Sequence, residues 1–245
     1  MTKIFFLFFI LCTFSTLSFC TENETVPPLF GHNLTPTSYT LPPQRFTLGT
    51  YVVGYGISEN LTLGTSPWLV LAYNMPMLEL KLALQTNTFF ERISVDGTYF
   101  KTFPYGSNLY EQESTFLRIT GTHQFIQNYA LHVSVGHQYF FNDAKPFSLR
   151  LIPGNGSRTN VSLSTLNEIH LVENVGAFIE LGLMGLTYSV PWLHAGLSGF
   201  YYWGWGLVQL GYSRTVSLGE VPYFADEGAA TIVYWHPEIQ LQVFF

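Results

Sequence analysis

The chain has 245 residues, 47% of them hydrophobic and 17% aromatic, with only 11% charged and a formal net charge of −6. A soluble domain carries about 25% charged residues, and a nucleic-acid partner calls for a basic patch, so the composition speaks against both. A helical membrane protein needs apolar runs of roughly 18 residues or more. None follows the N-terminal segment, and the apolar residues alternate instead with Gly, Ser, Thr and Gln. That leaves the closed β-barrel, the other way to cross lipid with every backbone group paired.

Residues 1–20 read as a signal peptide. Lys3 supplies the positive charge, Ile4 to Phe14 form the apolar stretch, and Ser18 and Cys20 are small residues before a cleavage point at Thr21. Leu17-Ser18-Phe19-Cys20 approaches a lipoprotein box, but Phe19 stands where that box takes a small residue, so removal and lipidation of Cys20 both stay open. Both cysteines, Cys12 and Cys20, lie in this segment. Residues 21–43, rich in Pro, Thr and Asn and without periodicity, predict an extended tail leading into a barrel of residues 44–245.

From Gln44 onward, period-two alternation predicts strand after strand. In Met77–Gln85 the leucines 78, 80, 82 and 84 oppose Glu79, Lys81, Ala83 and Gln85. Thr115–Phe125 sets Leu117 and Ile119 against Arg118, Thr120 and Thr122; Tyr129–Phe141 sets Leu131, Val133 and Val135 against His132, Ser134 and Gln138. The pattern continues through Val161–Leu171, Val175–Thr187, Leu193–Trp203 and Leu207–Leu218, and less cleanly in Arg45–Val53 and Arg92–Lys101. The apolar faces are nearly free of formal charge, the polar faces are rich in Gly, Ser and Thr, and aromatics cluster near strand ends (Phe125, Tyr129, Tyr139, Phe141, Tyr188, Trp192, Trp203, Trp205, Trp235). Lipid outside and a tight lumen inside account for all three. Connections on one side are short and on the other longer, as in outer-membrane barrels.

Counting spans gives an all-β, antiparallel up-and-down barrel of about ten strands, with Gln44–Val53 the first span and Gly54–Pro76 an outer connection. The alternative is twelve strands, through one more early span around Ser58-Glu59-Asn60.

The chain ends Pro237-Glu238-Ile239-Gln240-Leu241-Gln242-Val243-Phe244-Phe245, with Ile239, Leu241, Val243 and Phe245 on one face. This resembles the C-terminal assembly signal of bacterial outer-membrane proteins, which implies an outer-membrane location, the lipid bilayer as surroundings and the outer-membrane insertion machinery as a partner. Thr40-Leu41 and Tyr55 to Thr65 resemble the opening of a group of uncharacterised outer-membrane proteins, which implies the same class and carries no activity over to this chain.

The polar faces predict a lumen lined by Glu79, Lys81, Arg92, Asp96, Arg118, His132, Ser134, Glu168, His170, Glu180, His194, Gln209 and Glu238. Five acids against three bases predict a narrow, weakly cation-preferring pore, or a structural barrel. Two other functions compete: a surface-display module using its outer loops, and a lipid-directed hydrolase. His132-Val133-Ser134 resembles the His-X-Ser pair of outer-membrane phospholipases and lipid A deacylases, a base and a nucleophile sharing one strand face. In those families the pair faces lipid, whereas here it faces inward, so the expectation is no enzyme. No metal or cofactor motif is present in the sequence.

Overall fold

The computed structural model describes residues 35–50, 52–67, 69–70, 75–101, 113–141, 159–187, 190–219 and 233–245. Twelve strands follow one another: β1 Phe46–Gly49, β2 Val53–Ser58, β3 Leu61–Thr65, β4 Met77–Gln85, β5 Arg92–Lys101, β6 Glu113–Ile126, β7 Tyr129–Phe140, β8 Thr159–Val172, β9 Val175–Met184, β10 Trp192–Trp203, β11 Gly206–Ser217 and β12 Val233–Phe244. Each pairs antiparallel with its sequence neighbours, and β1 closes the ring against β12 through Thr47↔Phe244 and Gly49↔Gln242. Closure gives every strand a partner on both sides, so the sheet has no free edge strand.

The barrel therefore has twelve strands, the alternative count, and the ten-strand count is corrected at its start. Gln44–Val53 is not one span. It holds β1, a tight turn in which the Gly49 amide bonds the Val52 carbonyl at 2.9 Å, and the first residue of β2. Gly54–Pro76 is likewise not an outer connection, because it supplies most of β2 and all of β3. These strands are only four to six residues long, too short for alternation to stand out, and their glycines blur it further.

From β4 to β11 the alternation becomes two faces. The leucines of β4 are 55%, 47%, 42% and 52% exposed, whereas Lys81 and Ala83 between them are buried. Leu117, Ile119, Val135, Leu181, Leu197 and Leu210 likewise lie on the outside. Inside stand Ser, Thr, Gly and Gln, at a register that hydrogen bonding fixes strand by strand. A slip of one residue would exchange the faces. Turns at 59–60, 86–91, 127–128, 173–174 and 204–205 gather at the end where β1 starts and β12 finishes; this is called the turn end. The opposite, loop end carries the connections at 66–76, 102–112, 141–158 and 218–232.

Of the aromatics near strand ends, Phe125, Phe141 and Trp205 are exposed, but Trp192 is 2% exposed and points inward. Tyr188 and the Trp235 side chain lie outside the described residues, as does the 1–20 segment.

Candidate functional site: the lumen and its occupant

The tail that the sequence leads one to expect ahead of the barrel is, over residues 35–41, inside it. Thr35, Thr37, Ser38 and Leu41 are fully buried. The chain turns from the lumen into β1 at Pro42–Arg45, where Gln44 adopts φ 62°, its amide bonds the Gly56 carbonyl at 2.8 Å, and the Gly56 amide bonds the Arg45 carbonyl at 2.8 Å. A Cβ on Gly56 would fall 1.9 Å from the Pro42 carbonyl oxygen, so only glycine lets the tail pass over β2.

The wall holds this segment by side chains rather than by a sheet ladder. Near the turn end, Thr40 Oγ1 donates to the Glu59 carbonyl and the Leu41 amide donates to Thr62 Oγ1, both at 2.8 Å. Deeper in, Lys81 Nζ donates to the Thr37 carbonyl at 2.5 Å, and Ser38 Oγ meets Thr122 Oγ1 at 2.5 Å. Tyr39 OH donates to Glu168 Oε2 at 3.2 Å. The Thr35 amide donates to Glu180, in the middle of β9. Five wall strands and the 59–60 turn thus grip six residues of the tail, and each buried polar group gripped here would otherwise carry a desolvation cost of about 1–3 kcal/mol.

Two hydroxyl–imidazole–carboxylate chains back these contacts. Thr122 Oγ1 lies 2.7 Å from His132 Nδ1, and His132 Nε2 lies 2.9 Å from Glu168 Oε2; His170 Nε2 takes the other oxygen of Glu168 at 2.6 Å. Thr215 Oγ1 lies 2.8 Å from His194 Nδ1, and His194 Nε2 lies 2.8 Å from Glu180 Oε2. Sequence reading put Thr122 on the polar face without a partner and passed over Thr215, though a signal existed: Thr122↔His132 and His194↔Thr215 are directly opposite pairs in the register, set by the short turn between β6 and β7 and by the β10–β11 hairpin.

A third cluster is ionic. Lys81, Asp96 and Arg118 oppose one another across β4, β5 and β6. Arg118 binds Asp96 Oδ1 at 2.7 Å through both Nε and a terminal nitrogen, reaches Glu79 at 3.8 Å, and lies over the Phe116 ring at 5.0 Å. Arg92 lies over the Tyr39 ring at 5.6 Å. Gln209 and Glu238 are buried on β11 and β12, with Gln209 donating to Ser198 Oγ at 3.0 Å.

Toward the turn end the filling is apolar. Leu41 of the tail packs with Leu166, Phe178, Phe200, Tyr202, Leu207 and Phe244 of the wall, and Tyr39 lies against this cluster. Phe200 fits because Gly176 leaves space: a Cβ there would meet its ring at 2.2 Å. This apolar floor stands on the polar side of the sequence pattern and was not expected from it.

The His132–Ser134 pair does not meet. His132 bonds Thr122 and Glu168, while Ser134 Oγ accepts from Thr120 Oγ1 at 3.1 Å. The chain Thr122–His132–Glu168 has the order of a nucleophile, base and acid, but Thr122 is 4% exposed and carries Ser38 on the same oxygen. It acts here as a tether. Among the described residues no group of three or more His, Cys, Asp or Glu could hold a metal ion, and no helix is long and apolar enough to cross a membrane.

No protein-family model matches the sequence, and no curated protein matches it. Among solved structures, the outer membrane channel DcaP of Acinetobacter baumannii is similar at 9% identity and a TM-score of 0.37, over 93% of this chain and 70% of that one. A likeness this distant carries no argument, and the class rests on the strand pairing itself: a closed, all-antiparallel twelve-stranded up-and-down barrel.

Proposed function

We propose that the chain is an outer-membrane β-barrel pore for small solutes, held closed at rest by residues 35–41 in its own lumen. The observation that carries this reading is the buried tail, gripped by side chains from β3, β4, β6, β8 and β9. A core built only for stability needs no separate strand of hydroxyl-rich chain, and side-chain tethers let go one at a time where a sheet ladder does not. The apolar outer face, the short turns at one end and the outward-facing Ile239 and Leu241 of β12 support the location, with the lipid bilayer and the insertion machinery as partners. With the tail displaced, the five lumen acids outweigh the three bases and favour cations.

The test is single-channel recording of the refolded full chain in a planar bilayer, beside Leu41→Asp. Leu41 is fully buried in the apolar floor, and an unpaired carboxylate there drives the tail out. The wild type should stay closed with brief openings, and Leu41→Asp should conduct steadily. Equal, steady conductance in both would overturn the closed-pore reading.

A further inference from the structure

Tyr39 is held differently from its neighbours. Its hydroxyl donates to Glu168, its ring meets His132 edge-on at 5.6 Å and carries the Arg92 guanidinium over its face at 5.6 Å, and its body lies on the apolar floor. Glu168 is kept as a directed acceptor by His132 and His170 on its two oxygens. These four contacts select four properties of one object: planarity, π electrons, an apolar body and one hydroxyl donor at its end. A small cavity with space for no more than a water opens on the other side of the tail, between Tyr39 and Leu41 and the wall at Val52, Thr62, Glu79 and Lys81.

We propose that this seat is a binding site for a small hydroxylated aromatic solute, a phenol, and that Tyr39 is its resident occupant. The proposal rests on the closed-pore reading and names the solute class of that pore: a phenol entering the lumen takes the Glu168, His132 and Arg92 contacts from Tyr39 and frees the tail at its centre. A saturated sugar ring offers hydroxyls without the π face that Arg92 and His132 address, and an anionic solute would meet the Glu168 carboxylate.

The site is tested apart from the gate, in the full chain carrying Tyr39→Ala. By calorimetry in detergent, 4-methylphenol should bind it about tenfold or more tighter than toluene, the discrimination of one hydrogen bond to a charged acceptor. Glucose should not bind, and Arg92→Met added to Tyr39→Ala should weaken 4-methylphenol severalfold. Toluene binding as well as 4-methylphenol, or no binding by a variant that still shows the heat-modifiable mobility of a folded barrel, overturns the proposal. Should Tyr39→Ala not fold, 3-fluorotyrosine at position 39 of the otherwise unaltered chain gives the same answer. Its ¹⁹F resonance should move toward the solvent value with 4-methylphenol and stay in place with toluene; a resonance that 4-methylphenol does not move overturns the proposal. Conductance is read separately: selective binding without opening removes the gate and leaves the site.

Discussion

Leu181→Arg tests whether the outer face meets lipid. Leu181 is 53% exposed on β9, opposite Ala195 and Thr165 and next but one to Ile179, which is 41% exposed. Neither paired neighbour, Ala195 or Thr165, carries a charge that could pair with a guanidinium. In a bilayer, Arg near the midplane costs about 2–4 kcal/mol, and near the interface about 0–1 kcal/mol. Leu171, 65% exposed beside the 173–174 turn, supplies the interface control. Leu181→Arg should therefore lower the folding constant into vesicles by roughly 30- to 1,000-fold, at about 1.4 kcal/mol per factor of ten, and Leu171→Arg by less than about tenfold. Folding titrations in urea with lipid vesicles, read by tryptophan fluorescence, give both. Equal costs at the two positions would mean that depth does not matter on this surface, and the membrane reading would fall.

Three further outcomes follow from the same geometry. On the proposed assembly-signal reading of Ile239 to Phe245, deleting Phe245 should leave the protein in the periplasm or degraded; normal amounts of heat-modifiable barrel in the outer-membrane fraction would contradict that reading. Arg118→Met strands Asp96, which is 1% exposed, and should destabilise the barrel by about 3–5 kcal/mol. Adding Asp96→Asn should recover most of that loss in urea titrations. Glu180→Gln should shift the reversal potential of the open bursts toward anions, while Ser134→Ala should leave it unchanged; a cation preference insensitive to Glu180 would place selectivity elsewhere.

The strands from β4 onward were legible because each is nine to fourteen residues long and keeps one apolar face, so period two repeats often enough to be counted. The thirteen expected lumen residues were read from the same alternation, and nine of them, among them Lys81, Glu168 and Gln209, are buried. What they do there was not legible. Pairing Thr122 with His132 requires the register, and joining His132 to Glu168 requires two neighbouring strands at once. Leu166, Phe178, Phe200 and Tyr202 were hidden by the rule that a lumen is polar. That rule holds for a water-filled passage and fails where a tail brings Leu41 to bury. The tail was the hardest part. Its Thr, Ser and Pro content reads as solvated chain, yet those hydroxyls are what a lumen of His, Glu and Thr can satisfy without charge.

The most direct measurement asks whether the tail occupies the lumen in the membrane. The Ser38 and Thr122 hydroxyls lie 2.5 Å apart, so Ser38→Cys with Thr122→Cys brings two thiols near the roughly 2.05 Å of a disulfide. Thr120→Cys with Ser134→Cys, at 3.1 Å on the paired strands β6 and β7, is the control that needs no tail. Under mild oxidation of outer-membrane fractions both pairs should close, and the Ser38–Thr122 link should abolish the brief openings until it is reduced. A control that closes while the tail pair stays reduced would contradict the account.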